Sequence, residues 1–563
     1  MKSIKILSIA CLAFACGATA QDLESAKKAI DGEQYEKAKG ILKGLIATKP
    51  DFGKNYFMLG NLYLTQKIQD SAALYYNKGL AAKTDANFNN IGLGQIELEN
   101  EKIDAAKAIF IKSTMALRKK DYEENLYIGR AYMSGSKPDY KTALTYLEKA
   151  KLVQPNDAQV LLSLGDAHYG VRNNNDAFSA YRDAFDADKT LLRAKLQLAR
   201  ITKEAKAFPE ALSQFEAVLA ANPTYGPTYR ELAETYYLIG LNDRKKFVES
   251  NKTALQLYDK YMSLTDFSLD SRMRHADFLM LTKDYKALEL EAMEMQKIAK
   301  VNPRILRYLG YSAYQTGNTD AAIAALDKFL STSGAKIIGR DYMYLGLAKT
   351  RKSLTSVTGA DTKVTNTIDR PLFDAGVASL RKGVEMDPEM ANEINDIGKV
   401  FYDLKSYKEA ASIYEIGANV PTSQNYTFDN FYYGYATYFE QAKAEKADVA
   451  QLQKALTAFS NVITKRPEFA DAFIFKARVN GLMVTDPIAK AEMVKNYEEF
   501  NRIVMLKTAV EQAKFKTKLL ESYNAIAVYY LKTDKLKVKE NLDKVLLLDP
   551  TNAEALQNIK FAK

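Results

Sequence analysis

The chain has 563 residues, more than one compact core normally supports, and so asks for several domains or a stacked array. Aliphatic and aromatic residues make up 47% and charged residues 26%, a balance that excludes global disorder. The formal charge is +10, yet no compact module of basic and aromatic residues appears, so nucleic acid is not expected as a partner.

The N-terminus reads MKSIKILSIACLAFACGATA. Lys2 and Lys5 precede an apolar run from Ile6 to Cys16, and Ala18-Thr19-Ala20 closes it with small residues. The run is too short for a lasting membrane anchor, and Gln21-Asp22 is an abrupt polar start. This order predicts a signal peptide over residues 1–20, cleavage after Ala20, and export to a bacterial envelope, either the periplasm or the outer membrane. A poorer match to a lipobox, Leu12 to Cys16, gives lipid attachment at Cys16 as a second route. Both cysteines, Cys11 and Cys16, lie in this segment, so the cleaved chain has no thiol and must draw its stability from noncovalent interfaces.

From Asp22 onward one pattern recurs. Tyr56 to Leu80, YFMLGNLYLTQKIQDSAALYYNKGL, is its clearest copy, and Gly165, Ala199 and Ala233 repeat at intervals of 34 residues. Apolar residues at positions 4, 7, 8 and 11 predict a first helix. Those at 20, 24, 27 and 28 predict a second helix facing it. A small residue holds position 8, as in Gly60, Gly92, Gly129, Gly165, Gly310, Gly346, Gly398 and Gly434. Glycine costs about 1 kcal/mol against alanine inside a helix, so its recurrence implies a close helix–helix approach. Alanines at position 20, among them Ala72, Ala177, Ala322 and Ala410, face it. Pro50, Pro155, Pro223, Pro303, Pro388, Pro467 and Pro550 each follow a second helix and close a unit.

Tyr56, Leu59, Gly60, Tyr63, Ala72, Tyr76 and Leu80 resemble the tetratricopeptide repeat family, and the likeness extends over nearly all of Asp22 to Lys563. The resemblance implies an all-α fold, a right-handed superhelix of about 13 helix-turn-helix repeats whose first helices line a concave groove. Departures from the family pattern are the lack of tryptophan, a degenerate unit from Ser268 to Lys300, and an opening Glu24 to Pro50 that reads as a cap.

Four segments break the period. Leu241 to Thr253 and Ala418 to Phe431 read as a lengthening or loop and a polar connection. Glu440 to Gln451 reads as helical lengthening. Lys349 to Arg370, rich in Ser and Thr, reads as a mobile surface loop. After the signal, residues 21–370 and 371–563 are expected to form two superhelical arms. Arg502 to Lys563 carries twelve basic and seven acidic residues and gives peripheral membrane association as a secondary expectation.

The chemistry inventory is thin. His168 and His275 are the two histidines, and both fall on packing faces. No phosphate loop, dinucleotide fingerprint or zinc-binding helix motif is present, so no cofactor, metal or catalytic residue is expected. The family's carboxylate-clamping mode finds Asn61 and Asn90 at matching positions, but Phe57, Glu123 and Tyr127 stand where its cations belong. Carried over residue by residue, the family's groove positions fall on Arg130, Tyr169, Arg193, Arg200, Arg230, Tyr237, Arg304, Arg307, Tyr311, Tyr314, Tyr402, Tyr435 and Tyr438. Tyrosine and arginine dominate binding energy at interfaces. The resemblance implies a non-enzymatic envelope scaffold that docks a protein or peptide partner. A carbohydrate- or polymer-handling accessory is the alternative.

Overall fold

The computed structural model describes residues 22–135, 137–298, 302–358, 364–483 and 485–562. The expected signal peptide, with Cys11 and Cys16, lies outside the described residues. The chain divides into two compact units, the first running to Ala287 and the second from Val301.

The first unit opens with α1 (Leu23–Asp31) paired with α2 (Tyr35–Thr48), then α3 (Gly53–Thr65) with α4 (Gln69–Gly79). It continues with α5 (Asn87–Glu99) and α6 (Ile103–Thr114), then α7 (Glu123–Tyr132) and α8 (Tyr140–Val153). The pairs α9 (Ala158–Gly170) with α10 (Asn174–Ala187), and α11 (Leu192–Glu204) with α12 (Phe208–Ala221), follow. It ends with α13 (Gly226–Asn242), α14 (Phe247–Leu264) and α15 (Leu269–Thr282), and α16 (Tyr285–Ile298) is divided between the units.

The second unit pairs α17 (Pro303–Gln315) with α18 (Thr319–Leu330), and α19 (Gly339–Ser353) with α20 (Arg370–Met386). Next are α21 (Asn395–Asp403) with α22 (Tyr407–Ala418), and α23 (Tyr426–Gln441) with α24 (Val449–Lys465). Then come α25 (Ala470–Leu482) and α26 (Pro487–Met505), the short α27 (Ala509–Ala513), α28 (Lys516–Tyr530) with α29 (Lys535–Leu548), and α30 (Ala553–Asn558). Among the described residues, seven packed pairs in one unit and six in the other make the expected all-α array of stacked helix pairs.

The repeat's small residues act as the sequence predicts. Any side chain on Gly165 would overlap the Tyr181 ring of the paired helix, and one on Gly310 would overlap Leu326. Ala72, Ala177, Ala322 and Ala410 are fully buried. One assignment shifts: in α5 it is Gly94, not Gly92, that faces the pair's own Phe110, while Gly92 receives Tyr76 of the preceding pair. The reason is the period itself, since Gly94 and not Gly92 stands 34 residues after Gly60.

A second device escapes the sequence pattern. Glu33, Lys67, Glu101 and Gly135 follow at intervals of 34 and all adopt positive φ, between 59° and 84°. Each sits just past a first helix, where a left-handed residue closes the helix and turns the chain back.

Of the four breaks, Leu241 to Thr253 lengthens its pair to helices of 17 and 18 residues. Ala418 to Phe431 is a connection followed by the start of α23. Glu440 to Gln451 contains a non-helical turn, in which Gln441 accepts from the Asp448 backbone N–H at 2.7 Å, between helices of 16 and 17 residues. Lys349 to Arg370 holds an antiparallel hairpin, β1 (Leu354–Thr358) against β2 (Val364–Ile368), with α19 and α20 running into it from either side. Its alternation of Thr with Val and Ile suits a strand better than a loop. The hairpin joins the two helices of one pair, so the expected arm boundary at residues 370 and 371 falls at the start of α20, inside the second unit. No helix of the described residues is long and apolar enough to cross a membrane.

Candidate functional site

First helices of successive pairs converge on a cavity of about 690 Å³ in the first unit. Glu24, Lys27, Ile30 and Asp31 of α1 form one wall; Met58 of α3, residues of α7, Asp166 and Tyr169 of α9, and Arg193 and Gln197 of α11 form most of the rest, with Tyr140 of α8 and Tyr181 of α10 reaching in from second helices. The stacked order of the pairs places these side chains, because residues three or four apart on a first helix share its inward face.

Three expected groove residues meet here. Arg130 donates from Nε to Ser163 Oγ at 2.8 Å and from Nη2 to Gln159 Oε1 at 2.8 Å, bridging α7 to α9. Arg193 donates to Asp166 Oδ2 at 2.7 Å, and the same carboxylate accepts from the Tyr181 hydroxyl at 2.9 Å. Tyr169 bonds Glu204, with the Arg200 guanidinium over its ring at 5.7 Å. Burial raises Asp31 above the ordinary carboxyl range, against the pull of Arg193 and Arg130. The wall is therefore rich in charge; Arg130 and Arg193 are bridged to a neighbouring helix, and Lys27 pairs with Glu24 on its own helix at 2.6 Å.

Further along, Arg200 and Arg230 approach the buried Glu231 at 3.4 and 3.6 Å, and Lys203 donates to it at 2.6 Å. Burial pushes the Glu231 carboxyl up, but the three cations outweigh it and hold it below the usual range. Tyr237 is packed in the core, its hydroxyl on the Leu281 carbonyl at 3.2 Å. Arg230 also meets Glu33 at 2.6 Å.

In the second unit the same register is filled differently. Arg307 grips the fully buried Asp341 through Nε at 2.7 Å and Nη2 at 2.9 Å. Tyr311, only 1% exposed, donates to the same carboxylate at 2.8 Å and stacks on Tyr344 at 4.1 Å. Tyr314 meets Tyr344 edge-on, and Arg304 donates to the Tyr308 hydroxyl at 2.7 Å. Tyr402, Tyr435 and Tyr438 belong to an aromatic cluster in which Tyr435 lies 4.5 Å from Phe475 and 4.7 Å from Phe439. Tyr237 and Tyr311 are thus packing residues, while Arg130, Tyr169 and Arg193 are half-exposed.

Sequence reasoning passed over Asp31, Glu33, Asp166, Asp341 and Arg274. An isolated acid in a charged chain carries no pattern; only the 34-residue recurrence of turn residues marks Glu33. His275 stacks on Tyr258 at 5.3 Å, and His168 stands 4.0 Å from Asp176, both on packing faces as expected. Asn61 accepts the Tyr76 hydroxyl at 2.7 Å. Among the described residues no group of three His, Cys, Asp or Glu side chains is placed to hold a metal.

No family model matches the chain. Anaphase-promoting complex subunit 6 of Arabidopsis thaliana is 26% identical over 203 residues, which cover 35% of this chain and 36% of that protein, about a third of its length. Among solved structures, the C-terminal part of a tetratricopeptide repeat-containing protein from Cytophaga hutchinsonii is 22% identical. The likeness covers 51% of this chain and 98% of that one, with a TM-score of 0.31. A tetratricopeptide repeat protein from Parabacteroides merdae is 13% identical over 53% of this chain and 98% of that one, with a TM-score of 0.30.

Proposed function

We propose that this chain, a tetratricopeptide repeat protein, is a non-enzymatic scaffold that docks a polypeptide partner on the inner face of its first unit. The observation that carries the reading is the cavity of about 690 Å³, walled by first helices and presenting carboxylates, guanidinium groups and tyrosine hydroxyls side by side. Such a wall matches the alternating donors, acceptors and charged side chains of a peptide better than it matches an apolar ligand.

The test places a photocross-linking residue at Gln197, facing the cavity, and in a separate variant at Leu152, which is 82% exposed on a second helix. The expected result is one protein captured from Gln197 and not from Leu152, with purified partner binding weakened by Arg193→Glu. Equal capture at both positions, or binding indifferent to Arg193→Glu, defeats the reading.

The N-terminal apolar segment supports export to a bacterial envelope, and cell fractionation of the full-length chain with an acylation assay at Cys16 tests both routes. A second reading, carbohydrate or polymer handling, draws on Tyr402, Tyr407 and Tyr435 of the second unit, half-exposed members of an aromatic cluster in which Tyr407 already stacks on Phe439 at 5.1 Å. Glycan retention abolished by Tyr407→Ala would favour it.

A further inference from the structure

The turn between α1 and α2 reaches across the first unit to α13, α14 and α15. Glu33 projects from it in the left-handed conformation, at φ 59°. Its carboxylate accepts from Arg230 Nη1 at 2.6 Å, from the Tyr261 hydroxyl at 2.5 Å and from Arg274 Nη2 at 3.0 Å. These partners lie on α13, α14 and α15, some two hundred residues away, so the array of the first unit curves until its beginning meets its end. Gln34 adds a hydrogen bond to the Leu264 carbonyl at 3.2 Å, and the Glu36 backbone N–H one to Asp266.

The character of this junction matters. The fully buried residues of α1 are Ala26 and Ala29, with Leu23 and Ile30 packed partly buried against the same core, whereas the bonds that reach α13 to α15 are polar. Arg230, Arg274 and Tyr261 together make a carboxylate receptor of two guanidinium groups and a hydroxyl, a geometry suited to charge-assisted hydrogen bonds. Emptied, the receptor would keep Arg274 on Asp270 at 2.5 Å and Arg230 near Glu231 at 3.6 Å but lose the one carboxylate that joins both guanidinium groups, so it favours being filled again. On the same segment α1 walls the cavity through Glu24, Lys27, Ile30 and Asp31.

We propose that the Asp31-Gly32-Glu33 turn is a displaceable latch: it fills the Arg230–Tyr261–Arg274 receptor in place of a carboxylate from another segment and so holds α1 across the cavity. Release exposes the receptor and removes one wall, and a carboxylate-bearing turn of another polypeptide then takes the place of Glu33. The exchange replaces like with like, so opening needs only a competing acid in the same geometry and no change in the stacked pairs.

The experiment uses the full chain. Hydrogen exchange is compared between wild type and Glu33→Gln, with Glu33→Asp as the variant that keeps the charge. In Glu33→Gln the amides of residues 26–36 should exchange at least tenfold faster while α3 to α12 keep their protection, and Glu33→Asp should fall between. Unchanged exchange at residues 26–36 overturns the latch, and so does loss of protection throughout the first unit, which would make Glu33 a core strut.

A synthetic peptide of residues 25–37 is then added to each protein. It should bind Glu33→Gln at least tenfold more tightly than it binds wild type, and its counterpart with glutamine in place of the glutamate should not bind. Equal binding of both peptides, or of neither, also overturns the proposal. No docking partner enters these measurements, so failure of the latch and failure of the docking reading are separate outcomes.

Discussion

Around the first unit's cavity the inner register does the opposite of what the same repeat positions do in the second unit, although farther along the first unit Tyr237 is buried too and Arg230 is only 16% exposed. In the first, Arg130, Arg193 and Tyr169 bridge neighbouring helices across a cavity and remain half-exposed. In the second, Arg307 and Tyr311 converge on the buried Asp341, and Tyr402, Tyr435 and Tyr438 fill the register with one another and with Phe439 and Phe475. A repeat fixes where a side chain points, not how much room it finds there. Room depends on the partner supplied by the next helix: an acid on a capped helix start swallows an arginine, and a run of aromatics closes on itself.

The sharpest way to break this contrast is to remove one carboxylate from each unit. Asp341→Ala strands the Arg307 guanidinium, 12% exposed, and also deprives the Ile338 backbone N–H of its acceptor at the start of α19. Removing one partner of a buried ion pair costs about 3–5 kcal/mol, read as a lower denaturation midpoint. Arg193→Leu breaks a pair whose arginine is 38% exposed, which solvent screens. It should cost about 1 kcal/mol or less and affect partner capture far more than melting. Similar losses from both variants would dissolve the distinction between the units.

Asp429 sharpens it from the second unit's side. This carboxyl is fully buried, bonds the Asn395 amide at 3.0 Å and presses on Gly417, with burial raising it to about 7. Among the described residues no cation pairs with it as three do with Glu231. The folded state therefore keeps its proton where the unfolded chain has lost it, so this group's contribution is most favourable below about pH 4 and declines as pH rises to about 7. The decline is on the order of 3–4 kcal/mol and flattens above that. Asp429→Asn should lose this slope in chemical denaturation between pH 4.5 and 8; an unaltered slope would mean the carboxyl ionises in the fold.

The helix pairs were legible because packing imposes a period. Gly165 against Tyr181 and Gly310 against Leu326 show the close approach that the recurring glycines predict. Gly165→Leu and Gly310→Leu should each overpack that contact at a cost of about 1–3 kcal/mol, visible in thermal unfolding, and an indifferent response would deny it. The groove residues were legible only as directions. Whether Tyr311 lies open or buried depends on Asp341, thirty residues on and unmarked by any motif. The hairpin at Leu354–Ile368 was hidden for a related reason: seven-residue windows of Thr and Ser carry no helical period, and strand pairing depends on a partner strand that the local window does not contain.

The smallest effect tests the turns. Lys206 in the first unit and Lys405 in the second both hold left-handed backbone, at φ 61° and 58°, with exposed side chains. A side chain in that region is strained where glycine is not. Lys206→Gly and Lys405→Gly should each raise stability by roughly 0.5–1 kcal/mol, after the entropy of a freer unfolded chain is set against the relieved strain. Glu33 occupies the equivalent place, so Glu33→Gly gains the same relief. It also surrenders three hydrogen bonds to a receptor with two guanidinium groups, an interaction of the class whose loss costs about 3–5 kcal/mol. The sign of the substitution should reverse there, and a stabilising Glu33→Gly in calorimetry would show that the carboxylate contributes nothing to holding the first pair in place.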